Sequence, residues 1–428
     1  MTEARRAVPP GTPGAEEATE GPTRRILLVD CDMFFVQVAR LEDPAGVGKI
    51  PLLVVGGTPD GRGVITSASY EVRGYGVHSG MPTARALRLC PEATVVPVPR
   101  EACSLRSRAV RDALERLSPI VEPASIDEFY LDLTGTERMF GSETFEETAH
   151  RIRERVLAET EISVSLGGGT RKMIAKLAAG RAKPAGVRIV PPGDESDFVR
   201  DFDLEDLPGV GPVFLSALRE KELRRVEDVL AVEEEWLVRW FGRTRARWLR
   251  DRARGLDPTL VQSGTARKSV SSERTFRRDL DDRTELETIL LEQVLTVGRT
   301  LRQRGLRART VTVKSRSPDF RTRTASRTLP EAIESDSVLY TVARQLLKEL
   351  LGRGTPRLRL LGVSASSLAD DGAGGQLPLF DHPLVETERD RTLSQLMDVV
   401  RERFGGDALL PGRVVESTRH PKDADGEM

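Results

Sequence analysis

The chain has 428 residues, 31% of them charged, and its 65 Lys and Arg against 66 Asp and Glu leave a formal net charge of -1. A chain of this length builds roughly two to four domains. Three cysteines (Cys31, Cys90, Cys103) without a CxxC pair, and only four histidines, exclude a disulfide scaffold and a zinc site and fit a reducing cytoplasm.

No run of residues is apolar enough to span a membrane, so no membrane association is expected. The even charge total hides an asymmetry. Residues 262–368 hold 21 Lys and Arg against 12 Asp and Glu, and residues 369–428 hold 7 against 13. A basic block followed by an acidic tail points to nucleic acid.

Residues 1–23 are rich in Pro, Gly, Glu and Thr and lack an apolar h-region, so they read as a disordered leader. Arg25-Ile26-Leu27-Leu28-Val29-Asp30-Cys31-Asp32 reads as a buried strand ending in acids, and residues 33–38 turn into a helix. A second strand is expected at 51–55. Residues 63–73 go from strand to helix, where Tyr70 and Arg73, three apart, share a face. Helical periodicity returns over 100–117. Two strand-like runs, 120–124 and 129–133, then flank Ser125-Ile126-Asp127-Glu128, which predicts a hairpin with paired acids at its turn.

An isolated Asp-Glu pair is most often a solvated turn. The second acidic strand end changes that balance. If the two strands are neighbours, their backbones lie about 4.8 Å apart and Asp30, Asp127 and Glu128 converge. Carboxylates that close repel unless a cation joins them, and a hard divalent ion such as Mg²⁺ fits that role. A helix over 144–160 and a strand over 162–166 complete the order β, α, ββ, α, β. That order predicts a ferredoxin-like sheet with about residues 34–90 inserted after its first strand.

Gly167-Gly168-Gly169 is expected to open the next helix, which carries Lys176 and Arg181 with Lys183 before Pro184. A glycine-rich helix entry of this kind can receive phosphate. Leu207-Pro208-Gly209-Val210-Gly211-Pro212 reads as a turn between short helices whose N–H groups at Gly209 and Gly211 grip a DNA phosphate. Trp236, Trp240 and Trp248 read as the core of that helical domain, and residues 256–267 as a tether.

The basic block reads as a second α/β module of order β-α-β-β-α-β. Arg307, Arg309, Lys314, Arg316, Arg321 and Arg323 fall on its two middle strands, as one sheet face laid along a sugar–phosphate backbone. In the tail, Gln376-Leu377-Pro378-Leu379-Phe380 exposes three apolar groups that need a partner's groove. Leu393, Leu396, Met397, Val400 and Phe404 recur at helical spacing and should dock.

These pieces combine into motifs: Asp30-x-Asp32-x-Phe34-Phe35, Ser69-Tyr70-Glu71-x-Arg73, Ser125-Ile126-Asp127-Glu128-x-Tyr130-Leu131-Asp132, and Lys172-x3-Ala175-Lys176-x2-Ala178 leading to Lys183-Pro184-x-Gly186. With the helix-hairpin-helix turn and the tail peptide, they resemble the Y-family DNA polymerases in their translesion branch. The resemblance implies an α+β multidomain chain. A ferredoxin-like catalytic palm would occupy 24–184, with fingers inserted at about 34–90. An all-helical helix-hairpin-helix thumb at 185–258, a linker at 259–267 and an α/β little-finger domain at 268–368 would follow. The acidic tail, 369–428, would bind the replicative sliding clamp through Gln376, Leu377, Leu379 and Phe380.

The resemblance also implies error-prone synthesis on primer-template DNA from deoxynucleoside triphosphates, without a proofreading exonuclease. Asp30, Asp127 and Glu128, with the backbone carbonyl of Cys31, would hold two Mg²⁺ ions. Tyr70, Arg73, Lys176 and Ser67 would grasp the triphosphate, and Phe35 would lie under the sugar as a steric gate. A cytoplasmic monomer is expected. The chain departs from the family's usual residues at Ala39-Arg40, Gly168-Gly169 and Arg171, none of them a carboxylate that the chemistry needs. A nucleotide cyclase shares paired acids and two metals but has no use for the basic block or the hairpin turn.

Overall fold

A computed structural model describes residues 23–137, 141, 143–264, 266–352, 356–370, 386–406, 408–412 and 414. These residues fall in two compact units, one within Met1–Gly56, Ile65–Met81 and Ala86–Gly264, the other within Gly57–Val64, Pro82–Arg85 and Thr265–Met428. The leader over residues 1–22 and the tail peptide Gln376, Leu377, Leu379 and Phe380 lie outside the described residues.

Up to residue 189 the chain runs β1 (Ile26–Cys31), α1 (Phe34–Glu42), β2 (Leu53–Gly56), β3 (Ile65–Ala68), α2 (Tyr70–Arg73), α3 (Thr83–Leu89), β4 (Thr94–Val96), α4 (Arg100–Glu115), β5 (Ile120–Pro123), β6 (Glu128–Asp132), α5 (Phe145–Thr160), β7 (Val164–Gly169), α6 (Lys172–Ala182) and β8 (Val187–Ile189). All six residues of β1 are buried, as its unbroken apolar run requires of a strand covered on both faces. It lies at the centre of a five-stranded sheet ordered β5-β6-β1-β7-β8 and is antiparallel to both neighbours. The first four of those strands have the ferredoxin-like arrangement.

Alternate side chains of β1 serve opposite layers, as strand pleating dictates. Leu27 and Val29 pack with Val110 and Leu114 of α4 and Ile152 and Val156 of α5. Ile26 and Leu28 pack against Ala175 and Ala179 of α6. Helix α5 begins where Thr144 and Glu147 close a capping box, so its start is written in the sequence.

The glycine run departs from its expected role. Gly167, Gly168 and Gly169 are the buried end of β7 and do not form a helix entry. A Cβ on Gly167 would lie 2.0 Å from the Ala179 amide nitrogen and 2.1 Å from the Ala175 carbonyl. Gly167 and Gly169 let α6 lie directly on the strand, Gly168 faces Leu27, Phe145 and Ile189 on the other side, and none of them opens toward an anion.

The segment between α1 and α4 forms its own three-stranded sheet, β3-β2-β4, around Val54, Ile65, Ala68 and Val72. After β8 come α7 (Glu195–Arg200), α8 (Pro212–Arg219), α9 (Val226–Ala231), α10 (Glu234–Phe241) and α11 (Arg243–Ala253), packed around Leu204, Phe214, Leu218 and Leu249. Gly209 has φ +101°, and a Cβ there would lie 2.7 Å from the Trp248 ring, so glycine is required twice over. Pro212 opens α8 at its first turn. Trp240 and Trp248 pack on this core, but Trp236 is 46% exposed and stays at its edge.

The expected tether is fastened over its first half. Asp257 is buried, accepting hydrogen bonds from the Met173 amide (3.1 Å) and pairing with Arg252 (2.8 Å). Val261 packs on Ile26 and Tyr130, and the Gln262 amide donates to Glu122 at 2.8 Å.

From residue 269 the order is β9 (Ser269–Leu280), α12 (Arg283–Arg302), β10 (Leu306–Arg316), β11 (Thr322–Ile333), α13 (Asp336–Leu351), β12 (Leu358–Asp370) and α14 (Glu388–Phe404). The sequential order matches the expectation, while the wiring differs from that of the first sheet. Here the last strand sits between β10 and β9, in the order β11-β10-β12-β9, and every pair is antiparallel. Helices α12 and α13 cover one face through Leu286, Leu290, Leu339 and Val342, which meet Val311, Val313 and Leu361.

Helix α14 does dock, but with a different side than its apolar spacing predicts. Leu393, Leu396 and Phe404 are 55, 58 and 68% exposed. The contacts are polar. Asp398 (2.6 Å) and Asp336 (2.9 Å) share the buried Arg302, and Ser394 accepts from the Asp336 amide at 3.1 Å. A buried guanidinium without carboxylates is far costlier than an exposed leucine, so the charge decides the face.

Candidate active site

The ladder of β1 brings the acids together. Asp30 lies opposite Glu128 on one side and opposite Ser165 on the other, and the Cys31 amide donates to the Asp127 carbonyl at 2.9 Å. Residues nearly a hundred positions apart therefore stand on adjacent rungs. Asp30 is buried and accepts from the Lys183 ammonium at 2.6 Å. Glu128 pairs with Lys176, and Asp127 Oδ1 accepts from the Ser125 hydroxyl at 2.5 Å. Burial pushes the Asp30 carboxyl above the usual carboxylate range, against the pull of Lys183. Burial likewise drives the Cys31 thiol well up, so its sulfur stays protonated and only its carbonyl oxygen can serve a cation.

Among the described residues no three acidic, histidine or cysteine side chains form a ready-made ligand group. Asp30 and Glu128 are turned onto lysines and Asp127 onto Ser125. The donor set is nonetheless all oxygen, three carboxylates and a carbonyl on neighbouring rungs. Two ammonium groups supply the positive charge such a group of carboxylates needs. That chemistry fits a hard divalent cation.

Lys183, expected only as one of the basic residues behind the glycine-rich run and as part of the Lys183-Pro184 motif, is placed by the structure against Asp30. Helix α6 presents the other two lysines one turn apart: Lys172 reaches Glu122 (2.6 Å) and lies over the Tyr130 ring (4.4 Å), and Lys176 reaches Glu128. An open groove of about 670 Å³ runs from Lys176 past Arg181 to Leu207, Pro208, Gly209 and Val210, so the hairpin turn and the Glu128-paired lysine line one groove.

On α2, the Arg73 guanidinium lies 4.9 Å over the Tyr70 ring and donates to the Ala68 carbonyl at 3.0 Å. The Tyr70 hydroxyl donates to Asp32 at 2.9 Å. Burial and that carboxylate hold the phenol well above its usual value, so it remains a donor. Ser67 is buried on β3, opposite Val55. Phe35 sits at the start of α1, half-buried, edge-on to Phe34 with ring centroids 5.5 Å apart.

The basic residues of the second unit divide. A bulge between Ala308 and Thr310 sets the register of β10, so that Thr310, Thr312, Lys314 and Arg316 share the face away from the helices. Arg309 donates to the Leu329 carbonyl at 3.3 Å. Arg307 is committed to the buried Glu386 at 3.2 Å. Arg321 is exposed in the β10–β11 turn beside Asp319. Arg323 pairs in register with the inward Ser315 and so lies on the opposite side from Lys314, contrary to the expectation of one face.

The outer face has a second feature that the charge pattern hid. Ser271, Ser364, Thr312 and Ser326 cross it as one row, and Ser269, Ser366, Thr310 and Thr328 as another. The signal was a Ser/Thr at every second position of four strands.

Residues 29–180 match the model of the impB/mucB/samB family, and residues 267–379 match that family's C-terminal domain. The chain is 34% identical to DNA polymerase IV of Caulobacter vibrioides over 397 residues, which is 92% of this chain and 95% of the relative. It is 35% identical to DNA polymerase IV of Desulfatibacillum aliphaticivorans over 91% of this chain and 96% of that one. Among solved structures, a Y-family DNA polymerase chimera of Dbh and Dpo4 superposes with a TM-score of 0.71 at 27% identity, over 80% of this chain and 98% of that one. DinB from Sulfolobus solfataricus covers the same shares with a TM-score of 0.54. The chain belongs to the impB/mucB/samB family, the Y-family DNA polymerases. Within that family the likeness is to the DinB-like enzymes called DNA polymerase IV.

Proposed function

We propose that this translesion DNA polymerase extends a primer 3′-hydroxyl on a DNA template through Asp30, Asp127 and Glu128. The reading is carried by one observation: Asp30 pairs with Glu128 across the ladder, beside the Asp127 carbonyl. These carboxylates, with the Cys31 carbonyl, would hold Mg²⁺ ions, which when bound lower the pKa of the primer hydroxyl and neutralise the leaving pyrophosphate. Glu128 completes the side facing the primer. Tyr70, Arg73 and Lys176, with Ser67 behind them, grasp the triphosphate; arginine's planar fork suits phosphate oxygens, and lysine offers a point charge. Lys183, already at Asp30, joins them.

Phe35 lies beneath the sugar of the incoming nucleotide, where a ribose 2′-hydroxyl meets an aromatic ring and finds no hydrogen-bond partner. Of Ile65-Thr66-Ser67-Ala68, only Thr66 is not buried, so the roof this strand offers the new base pair is light, checks pair shape poorly and admits damaged templates.

Gly209 and Gly211 present backbone N–H groups to a phosphate, and Arg309, Lys314 and Arg316 with the hydroxyl rows receive the sugar–phosphate backbone without reading bases. Arg321 remains a further contact from the turn. Residues 376–380 bind the sliding clamp, and the chain acts as a cytoplasmic monomer. Primer extension decides the central claim. Asp127→Asn and Glu128→Gln each abolish extension while retaining duplex binding in a gel-shift assay; extension at the wild-type rate by either variant sinks the assignment.

A further inference from the structure

Asp32 stands two residues beyond Asp30 but faces other groups. It is 2% exposed, and both of its oxygens are filled. Oδ1 accepts from the Tyr70 hydroxyl at 2.9 Å and from the Ser165 hydroxyl at 2.7 Å. Oδ2 accepts from the Ser163 hydroxyl and from the Ala185 amide, both at 3.0 Å. An ionised carboxylate offers about four lone-pair sites, and four donors use them all, so none is left for a cation.

The donors come from three separate parts of the chain. Tyr70 lies on α2, Ser163 and Ser165 at and before the start of β7, and Ala185 two residues past Lys183. The serines fix the carboxylate to the sheet. The remaining two bonds then reach outward, one to each of two elements that carry phosphate-seeking groups. Among the described residues, the other functional side chain on these elements that reaches the end of β1 is Lys183, at Asp30.

We infer that Asp32 is a positioning residue, and not a metal ligand, that sets the Tyr70 hydroxyl and the Lys183 segment in one frame so that both meet the incoming nucleotide's triphosphate together. This rests on the reading of Tyr70 and Lys183 as phosphate contacts. Asp32→Asn keeps the shape of the side chain but turns one acceptor into an NH₂ group facing donors. The ligand carboxylates are left intact.

The test is steady-state extension of a primed template by the full chain, titrating dNTP and Mg²⁺ separately. Asp32→Asn raises KM for dNTP about tenfold, in line with a lost charge-assisted hydrogen bond, while half-saturating Mg²⁺ stays within about twofold. Tyr70→Phe raises KM in the same direction, and the double variant is no worse than the poorer single one.

Fully additive effects, or a shift in Mg²⁺ dependence with dNTP KM unchanged, overturn the inference alone. A silent Tyr70→Phe overturns the phosphate reading beneath it as well. Should Asp32→Asn not fold, Ser165→Ala loosens the same carboxylate from its donor side. It raises dNTP KM more in the wild-type background than in Tyr70→Phe, where only the Lys183 arm is left to loosen; an equal rise in both backgrounds refutes the role.

Discussion

The Lys183 ammonium lies 2.6 Å from Asp30 Oδ1, across 153 positions of the chain. Asp30 is buried, and an ionised carboxylate there is costly unless a cation faces it. Lys183 answers that charge at one edge of the site while remaining 26% exposed, free to swing toward an entering polyanion.

Lys183→Ala therefore removes a charge-assisted contact worth roughly 1.5–3 kcal/mol. Since each 1.36 kcal/mol is tenfold in rate, kcat/KM for dNTP falls roughly 10- to 100-fold. Lys183→Arg restores part of it. Single-nucleotide incorporation kinetics provide the check, and an unchanged kcat/KM removes Lys183 from the site.

With Phe35 in its proposed place beneath the sugar, Phe35→Ala opens that floor. The variant incorporates ribonucleotides at least about tenfold more readily relative to deoxynucleotides, a gain of roughly 1.4 kcal/mol in discrimination lost. Competition between the two nucleotide types on one primed template measures it. Undiminished sugar selectivity would make Phe35 plain packing against Phe34.

Gly167→Ala places a methyl group 2.0 Å from the Ala179 amide nitrogen and 2.1 Å from the Ala175 carbonyl. Both atoms are backbone, so α6 itself must lift. The expected cost is about 3 kcal/mol, the upper end for overpacking. Because α6 carries Lys176 and leads to Lys183, activity falls with stability. Thermal unfolding of the purified variant shows a drop of several degrees; a wild-type midpoint contradicts this packing.

Glu386 ties the start of α14, through Arg391, to the Glu334 and Ser335 amides that precede α13. Burial, the largest influence, raises its carboxyl, but Arg391 and the amides of Ser335 and Glu334 outweigh it and hold the group below its usual 4.5. A depressed folded value means that the stabilisation is present above pH 4.5 and lost as pH falls through the folded value. Glu386→Gln thus lowers the unfolding midpoint at pH 7 by an amount equivalent to about 2 kcal/mol, and the gap between variant and wild type narrows below pH 4.5. A gap independent of pH would show that the charge is irrelevant.

The strand-ending acids, the capping box at Thr144, the glycine of the hairpin turn and the alternation of the basic strands were all legible locally, because each depends on neighbours within a few residues. The run from Arg25 to Asp32 announced a doubly covered strand, and the ferredoxin-like order followed from element order alone. Those local signals were enough to place Asp30 beside Asp127 and Glu128.

Pairing and burial between distant residues decided the rest. Gly167 and Gly169 looked like part of an anion cradle until α6 lay on them, and a single bulge in β10 set which basic side chains share a face. The buried Arg302 turned α14 by its polar side, and Lys183 and Asp32 acquired their partners only when α2, β7 and the end of α6 met. Local sequence fixes the backbone's preferences, but a side chain's partner depends on which remote surface covers it, and only the folded chain supplies that surface.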